Sequence, residues 1–172
     1  MLVDGPTMRD MSTAKPTPAR ELTPFGRLDE AGLHHILGYQ LAQATITTTR
    51  VFAEKIGEVF ELRPVEFTIL TLVDENPGVS AKQLADAIAV TPPNITMWID
   101  KLEGRGFVER ERSSTDRRAQ HIRATAKGSA LARKAVRLVI EGEQAALASL
   151  SSAERAMLVE LLHKAARCRR RD

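Results

Sequence analysis

Apolar residues recur at three- and four-residue steps through Leu33, Leu37, Leu41, Ala44, Thr48, Phe52, Ile56 and Val59. The spacing predicts one long helix, from about residue 30 to about residue 60, with a single apolar stripe. A helix of that length outruns a small domain, so its stripe is expected to pack on another chain. The β-branched run Thr45-Ile46-Thr47-Thr48-Thr49 lowers intrinsic helicity and leaves packing to hold this element. A second helix opens at Pro64, carries Phe67, Ile69, Leu70, Leu72 and Val73, and stops at Asn76-Pro77-Gly78. A short third helix begins with a capping box of Ser80 and Gln83, with Val79 and Leu84 placed as a staple; Leu84, Ala85 and Ile88 form its core face. The fourth uses Thr91 as cap and Pro92 as first helical residue, with Val90 stapled to Ile95. Its inward face is Ile95, Trp98, Ile99 and Leu102; its outward face is Pro93, Asn94, Met97, Asp100 and Lys101. Gly106 is placed to stop it in a left-handed turn.

The period then shortens from helical to alternating. Residues 107–112 and 119–123 read as two strands around the turn Ser113-Ser114-Thr115-Asp116. Thr125 caps a fifth helix running to about Leu147. Ser151 with Glu154 opens a sixth, to about Cys168, striped by Leu158, Leu161, Leu162 and Ala165. The whole is mainly α with a small β-hairpin wing: a winged helix-turn-helix lobe at 62–125, flanked by helices at 29–61 and 126–168 suited to dimerisation. Residues 1–28, with Pro6, Pro16, Pro18 and Pro24, read as a flexible arm in which Met8 or Met11 is an alternative start; 169–172 is a basic tail.

Composition narrows the function by exclusion. The net charge is only +3, so the overall balance proves no nucleic-acid partner and local clustering must decide. The single cysteine, Cys168, rules out an intrachain disulfide and a multi-cysteine metal site. Aromatic residues make up 4%, too few for a stacking platform on single-stranded nucleic acid. No apolar run reaches the roughly 18 residues of a membrane span, and no secretion signal opens the chain, so a cytoplasmic protein is expected. There is no Gly-rich phosphate loop, metal-ligand spacing or nucleophile–base set, so neither an enzyme nor a cofactor is expected. His34 and His35 point about 100° apart on a helix and make a poor metal pair.

A helix-turn-helix followed by a wing is the arrangement that duplex DNA requires, with the second helix lying in the major groove. Asn94 suits a paired hydrogen bond to an adenine edge, and Pro93 and Met97 suit a thymine methyl. Thr91, Ser80 and Thr96 are candidates for phosphate, the first two because helix N-termini offer free amides. Lys101 lies on the same outward face. Arg110, Arg112, Arg117 and Arg118 flank the turn of the wing. Arg118 is the candidate for minor-groove insertion, oriented by a bidentate pair with Asp116. Glu109 and Glu111 alternate with the arginines and moderate nonspecific affinity.

These pieces occur together in a recognisable order. Leu62-Arg63-Pro64-Val65-Glu66-Phe67, Ser80-Ala81-Lys82-Gln83-Leu84-Ala85, Thr96, Asp100, Leu102-Glu103-Gly104-Arg105-Gly106-Phe107-Val108, Asp116-Arg117-Arg118 and Thr125-Ala126-Lys127-Gly128 follow one another, with Leu150-Ser151 and Glu154 before the last helix. Over residues 32–167 the chain resembles the MarR family of transcription regulators. The resemblance implies a homodimer with interleaved terminal helices that binds a pseudo-palindromic site on double-stranded DNA, usually as a repressor. It also implies release by a small aromatic or carboxylate effector held between the dimer helices and the DNA-binding lobe. His35, Tyr39, Thr47 and Arg50 on the first helix are candidates for that pocket. Two departures stand out. Met97 occupies a position where the family often carries a basic residue, and no cysteine stands near the start of the first helix, where peroxide-sensing members carry theirs. Met97, Asp100, Glu109 and Glu111 fit a rival reading, a winged-helix protein-interaction module without sequence-specific DNA binding.

Overall fold

The structure is a computed structural model and describes residues 21–112 and 120–169, with the side chain of Arg112 excepted. The described chain divides into two compact units with the boundary between Gln43 and Ala44.

In the first unit, residues 21–28, expected as part of an arm, are folded. An isolated bridge between Leu22 and Asp29 closes a turn. The Thr23 amide donates to the Leu28 carbonyl and the Glu30 amide to the Glu21 carbonyl, both at 2.9 Å. Gly26 at φ +77° supplies the left-handed residue the turn needs. Glu30 is buried and accepts from the Tyr39 hydroxyl at 2.7 Å. That bond, together with burial, pushes the Tyr39 phenol above its ordinary value.

Helix α1 spans Leu37–Phe52, so it begins later than the apolar spacing suggested. The Asp29 carboxylate accepts from the Ala31 amide, and residues 31–35 are taken up in turns. After Phe52 the helix widens into a π-helical turn, Ala53–Gly57, and finishes as the short α2, Glu58–Phe60. The wide turn rotates the face that follows it. Ile56 is fully buried and Phe60 packs on the core, whereas Val59, which the regular stripe placed inward, is 60% exposed.

In the second unit, α3 (Pro64–Glu75), α4 (Ala81–Ile88) and α5 (Pro92–Gly104) enclose the core with the hairpin and α6 (Ala126–Ala146). Pro64 takes the first helical position of α3, and the buried Glu66 accepts from the Arg63 amide at 2.9 Å, satisfying a free donor at the helix start. Ile69, Leu70, Val73, Leu84, Ile95, Ile99 and Leu102 fill the interior. Helix α5 ends in a Schellman turn: the Phe107 amide reaches the Leu102 carbonyl, the Gly106 amide reaches the Glu103 carbonyl, and Gly106 sits at φ +71°.

Strands β1 (Val108–Arg112) and β2 (Gln120–Ala124) pair antiparallel, Val108 opposite Ala124 and Arg112 opposite Gln120. A third rung escapes the alternation pattern. Val79 bridges Ile122, with the Ile122 amide on the Val79 carbonyl at 2.9 Å and the Gly78 amide on the Ile122 carbonyl at 3.0 Å.

Thr125 caps α6 by accepting from the Gly128 amide. Gly128 is required by proximity, since a Cβ there would lie 1.8 Å from the Phe107 carbonyl oxygen. Helix α7 (Ser152–Arg167) opens with the capping box of Ser151 and Glu154. Its stripe of Leu158, Leu161 and Leu162 is exposed. Among the described residues no helix is long and apolar enough to cross a membrane.

Candidate nucleic-acid interface

Burial of one face of α5 fixes what the other face presents. Ile95, Ile99 and Leu102 are buried and Trp98 packs half-buried against the core, so Pro93, Asn94, Met97, Asp100 and Lys101 point outward and are exposed. These five residues therefore form the exposed face of α5.

The start of α5 differs in its chemistry. Thr91 takes the N-cap position in extended backbone, yet its side chain makes no capping bond. Pro93 removes the donor at the second helical position, and the Asn94 amide at the third receives no bond from the Thr91 side chain. Pro92 and Pro93 remove donors that an anion would use, leaving the Asn94 amide in the first turn. Thr96 donates its hydroxyl to the Pro92 carbonyl at 3.0 Å, which leaves its oxygen only as an acceptor. Ser80 is likewise engaged. Its hydroxyl donates to Gln83 Oε1 at 2.8 Å and accepts from the Gln83 amide at 3.2 Å. As hydroxyl donors to phosphate, Ser80 and Thr96 are thus committed elsewhere.

The wing also departs from expectation at one residue. Arg110 is turned onto the recognition helix. One guanidinium nitrogen donates to Asp100 and the other to Glu103, and the side chain is 22% exposed. Strand alternation is the cause: Arg110 shares a face with the buried Val108, above α5, while Glu109 and Glu111 take the opposite face. Arg110 therefore pins the hairpin to α5 and is not free for a phosphate. One further contact links the two strands and another ties the hairpin to the loop before α4. Arg123 donates to Glu111 across the strands at 2.6 Å, and His121 Nδ1 lies 2.8 Å from the Gly78 carbonyl oxygen. Arg112 closes β1 in its backbone. Asp116, Arg117 and Arg118 lie outside the described residues.

Behind the interface, Arg105 donates to the Glu61 and Phe60 carbonyls, each at 2.8 Å, ending α2. Lys127 donates to the Arg105 carbonyl at 3.0 Å, and both cations stand over the Phe107 ring, at 4.9 and 4.8 Å. These motif residues thus serve structure. Among the described residues, Lys82 in the first turn of α4 and Lys101 in the last turn of α5 are exposed cations without an acidic partner. Lys82 was missed by the sequence reading, although its place in the first turn of α4 is visible there.

Of the candidate effector residues, Tyr39 and Arg50 are engaged locally and His35 lies outside α1. His35 lies in a turn before α1, so four-residue helical steps do not apply to it. Tyr39 is bound to Glu30, Thr47 is half-buried, and Arg50 is bound to Glu54 at 2.8 Å. A cavity of about 260 Å³ instead opens among Thr48, Phe52, Phe67, Thr68 and Glu143. The Phe52 and Phe67 rings stand 5.6 Å apart beside it. Among the described residues no three His, Cys, Asp or Glu side chains stand together as a metal site.

Comparison with known proteins adds an independent line. The MarR family model matches residues 62–119. An HTH-type transcriptional repressor of Mycobacterium tuberculosis is 32% identical over 140 residues, covering 81% of this chain and 97% of that protein. Among solved structures, the transcriptional repressor CouR bound to a 23-mer DNA duplex superposes with a TM-score of 0.73 at 33% identity, over 81% of this chain and 98% of that one. The transcriptional regulator SlyA superposes with a TM-score of 0.65 at 25% identity, over 74% and 92%.

Proposed function

This chain belongs to the MarR family, and from that premise we propose that it works as a ligand-responsive, dimeric repressor on a pseudo-palindromic site in duplex DNA. It is a DNA-binding transcription regulator and not an enzyme. The observation that carries the reading is the outward face of α5, exposed beside a hairpin that Arg110 pins to the same helix.

In this reading Asn94 reads a base edge, Pro93 and Met97 lie against thymine methyls, and Lys101 and Lys82 meet phosphates. Thr91, whose side chain makes no capping bond, donates its hydroxyl to a phosphate, and Thr96 and Ser80 meet the backbone path through water. The wing's remaining cations, Arg112, Arg117 and Arg118, supply the long-range attraction, with Arg118 directed to the minor groove beside Asp116. A second copy of the chain covers the exposed stripes of α1 and α7 and sets two recognition helices about one DNA turn apart.

The effector belongs in the cavity beside Phe52 and Phe67. About 260 Å³ suits one aromatic ring. Glu143 at its wall disfavours a carboxylate and favours a phenolic donor, which narrows the ligand class implied by the family resemblance. Binding there would favour a dimer whose recognition helices no longer match the half-sites.

The deciding experiment titrates the full chain against DNA upstream of its own coding sequence and against a scrambled duplex, over a range of salt. Salt-sensitive protection of a two-fold site is the expected result. Asn94→Ala should cost about 1–3 kcal/mol of specific affinity, and Lys101→Ala should lower the salt slope by about one unit. Equal, weak binding of both duplexes by every variant would instead support the protein-interaction module.

A further inference from the structure

Helix α4 does not satisfy its own C-terminus. The Ala85 carbonyl accepts from both the Ala89 and the Val90 amides. Among the described residues no backbone N–H takes the Asp86 or Ala87 carbonyl. Both are taken by one side chain from the far end of the sequence: Arg169 Nη2 donates to the Asp86 oxygen at 2.8 Å and to the Ala87 oxygen at 3.3 Å. A cation at this end also meets the negative pole of the helix. Arg169 is itself anchored, because its amide donates to the Ala166 carbonyl at 3.2 Å, in the last turn of α7. The side chain therefore reaches α4 from a helix end.

The place it reaches matters. The next residue after α4 is Ala89, at φ +55°, a left-handed conformation that costs a side chain with a Cβ about 1–2 kcal/mol. Ala89 and Val90 form the turn that sets the angle between α4 and α5. The geometry points to Arg169 as a positioning residue that couples α7 to the α4–α5 turn, and so sets how the outward face of α5 is presented. Its consequence for binding rests on the DNA-binding reading above; the coupling itself does not. If a second copy covers the α7 stripe, a displacement of α7 in that assembly is passed to the recognition helix through Arg169 without crossing the lobe's core.

Amide hydrogen exchange on the full chain tests this, comparing wild type with Arg169→Ala and with Arg167→Ala. Arg167 is an exposed residue at the end of α7 that makes no bond to α4, so its variant loses the same charge and serves as control. Arg169→Ala alone should speed exchange at Ala89 and Val90. It should also weaken specific DNA binding by about twofold to fivefold with an unchanged salt slope. Two results overturn the proposal. One is equal exchange in both variants. The other is unaltered exchange with a salt slope lowered by about one unit, which would make Arg169 a phosphate contact. Should wild type fail to bind DNA specifically, the function reading falls while the exchange comparison still decides the coupling.

Discussion

The apolar faces of α5 and α7 obey the same spacing and end in opposite surroundings. Ile95, Ile99 and Leu102 are at most 1% exposed, whereas Leu158, Leu161 and Leu162 keep 41, 53 and 38% of their surface. Hydrophobicity does not separate them. What separates them is that α5 meets α3, α4 and β1 within one chain, while the described residues leave more than a third of each leucine of the α7 stripe exposed. Periodicity identifies a face that seeks cover and is silent on which chain supplies it.

The largest test of this contrast is a matched pair of truncations. Ile99→Ala should destabilise the lobe by about 2–5 kcal/mol, measured by urea unfolding. Leu161→Ala should change unfolding of the dilute chain by about 0.5 kcal/mol or less and instead raise the concentration at which copies associate, read by sedimentation. Equal losses in dilute protein would break the comparison. Next comes Gly128→Ala, whose added Cβ meets the backbone of Phe107 and not a movable side chain. A loss of about 1–3 kcal/mol is expected, with the hairpin amides exchanging faster.

Ala89→Gly works in the opposite direction. Relief of the left-handed strain, less the added chain entropy of glycine, should leave a gain near 0.5 kcal/mol, roughly the difference between those two effects. A loss would mean that the Ala89 side chain is needed for packing. The smallest effect concerns α7 alone. The hydrogen bonds from the Ser151 hydroxyl, and then from its amide, hold the Glu154 carboxyl below its ordinary value of 4.5. A depressed carboxylate contributes stability that is present above the unfolded value and is lost as pH falls through the lower folded one. Ser151→Ala should therefore flatten the acid limb of α7 helicity below about pH 4.5, followed by circular dichroism.

Capped helices were the most legible part of this chain. Ser80 with Gln83, Ser151 with Glu154 and Thr125 all cap where local chemistry put them, because each bond spans only three residues. Features decided by distant partners were not legible. The π-helical turn that exchanges Val59 for Phe60 and the Val79–Ile122 rung depend on packing between segments far apart in sequence. So does the bond from Arg169 to α4. Within the candidate interface the outward face of α5 could be read from its period. The inward turn of Arg110 was legible in principle, since alternation puts it beside Val108, but the run of arginines suggested a uniformly cationic strand. The double proline at the start of α5 was also visible, and it argues against an anion site that a helix N-terminus alone would suggest.

Those two prolines bear on how such a protein can diversify. Pro92 and Pro93 restrict the backbone at the start of α5 before any side chain acts, and the buried Ile95, Ile99 and Leu102 hold the rest. The geometry of the helix is thus independent of what Asn94, Met97 and Lys101 happen to be. Exchange at these positions can explore new target sequences at little cost to folding, so the reading head is replaceable on a fixed mount. A lineage built on this mount can acquire a new operator in single substitutions, each one testable by selection while the protein stays folded.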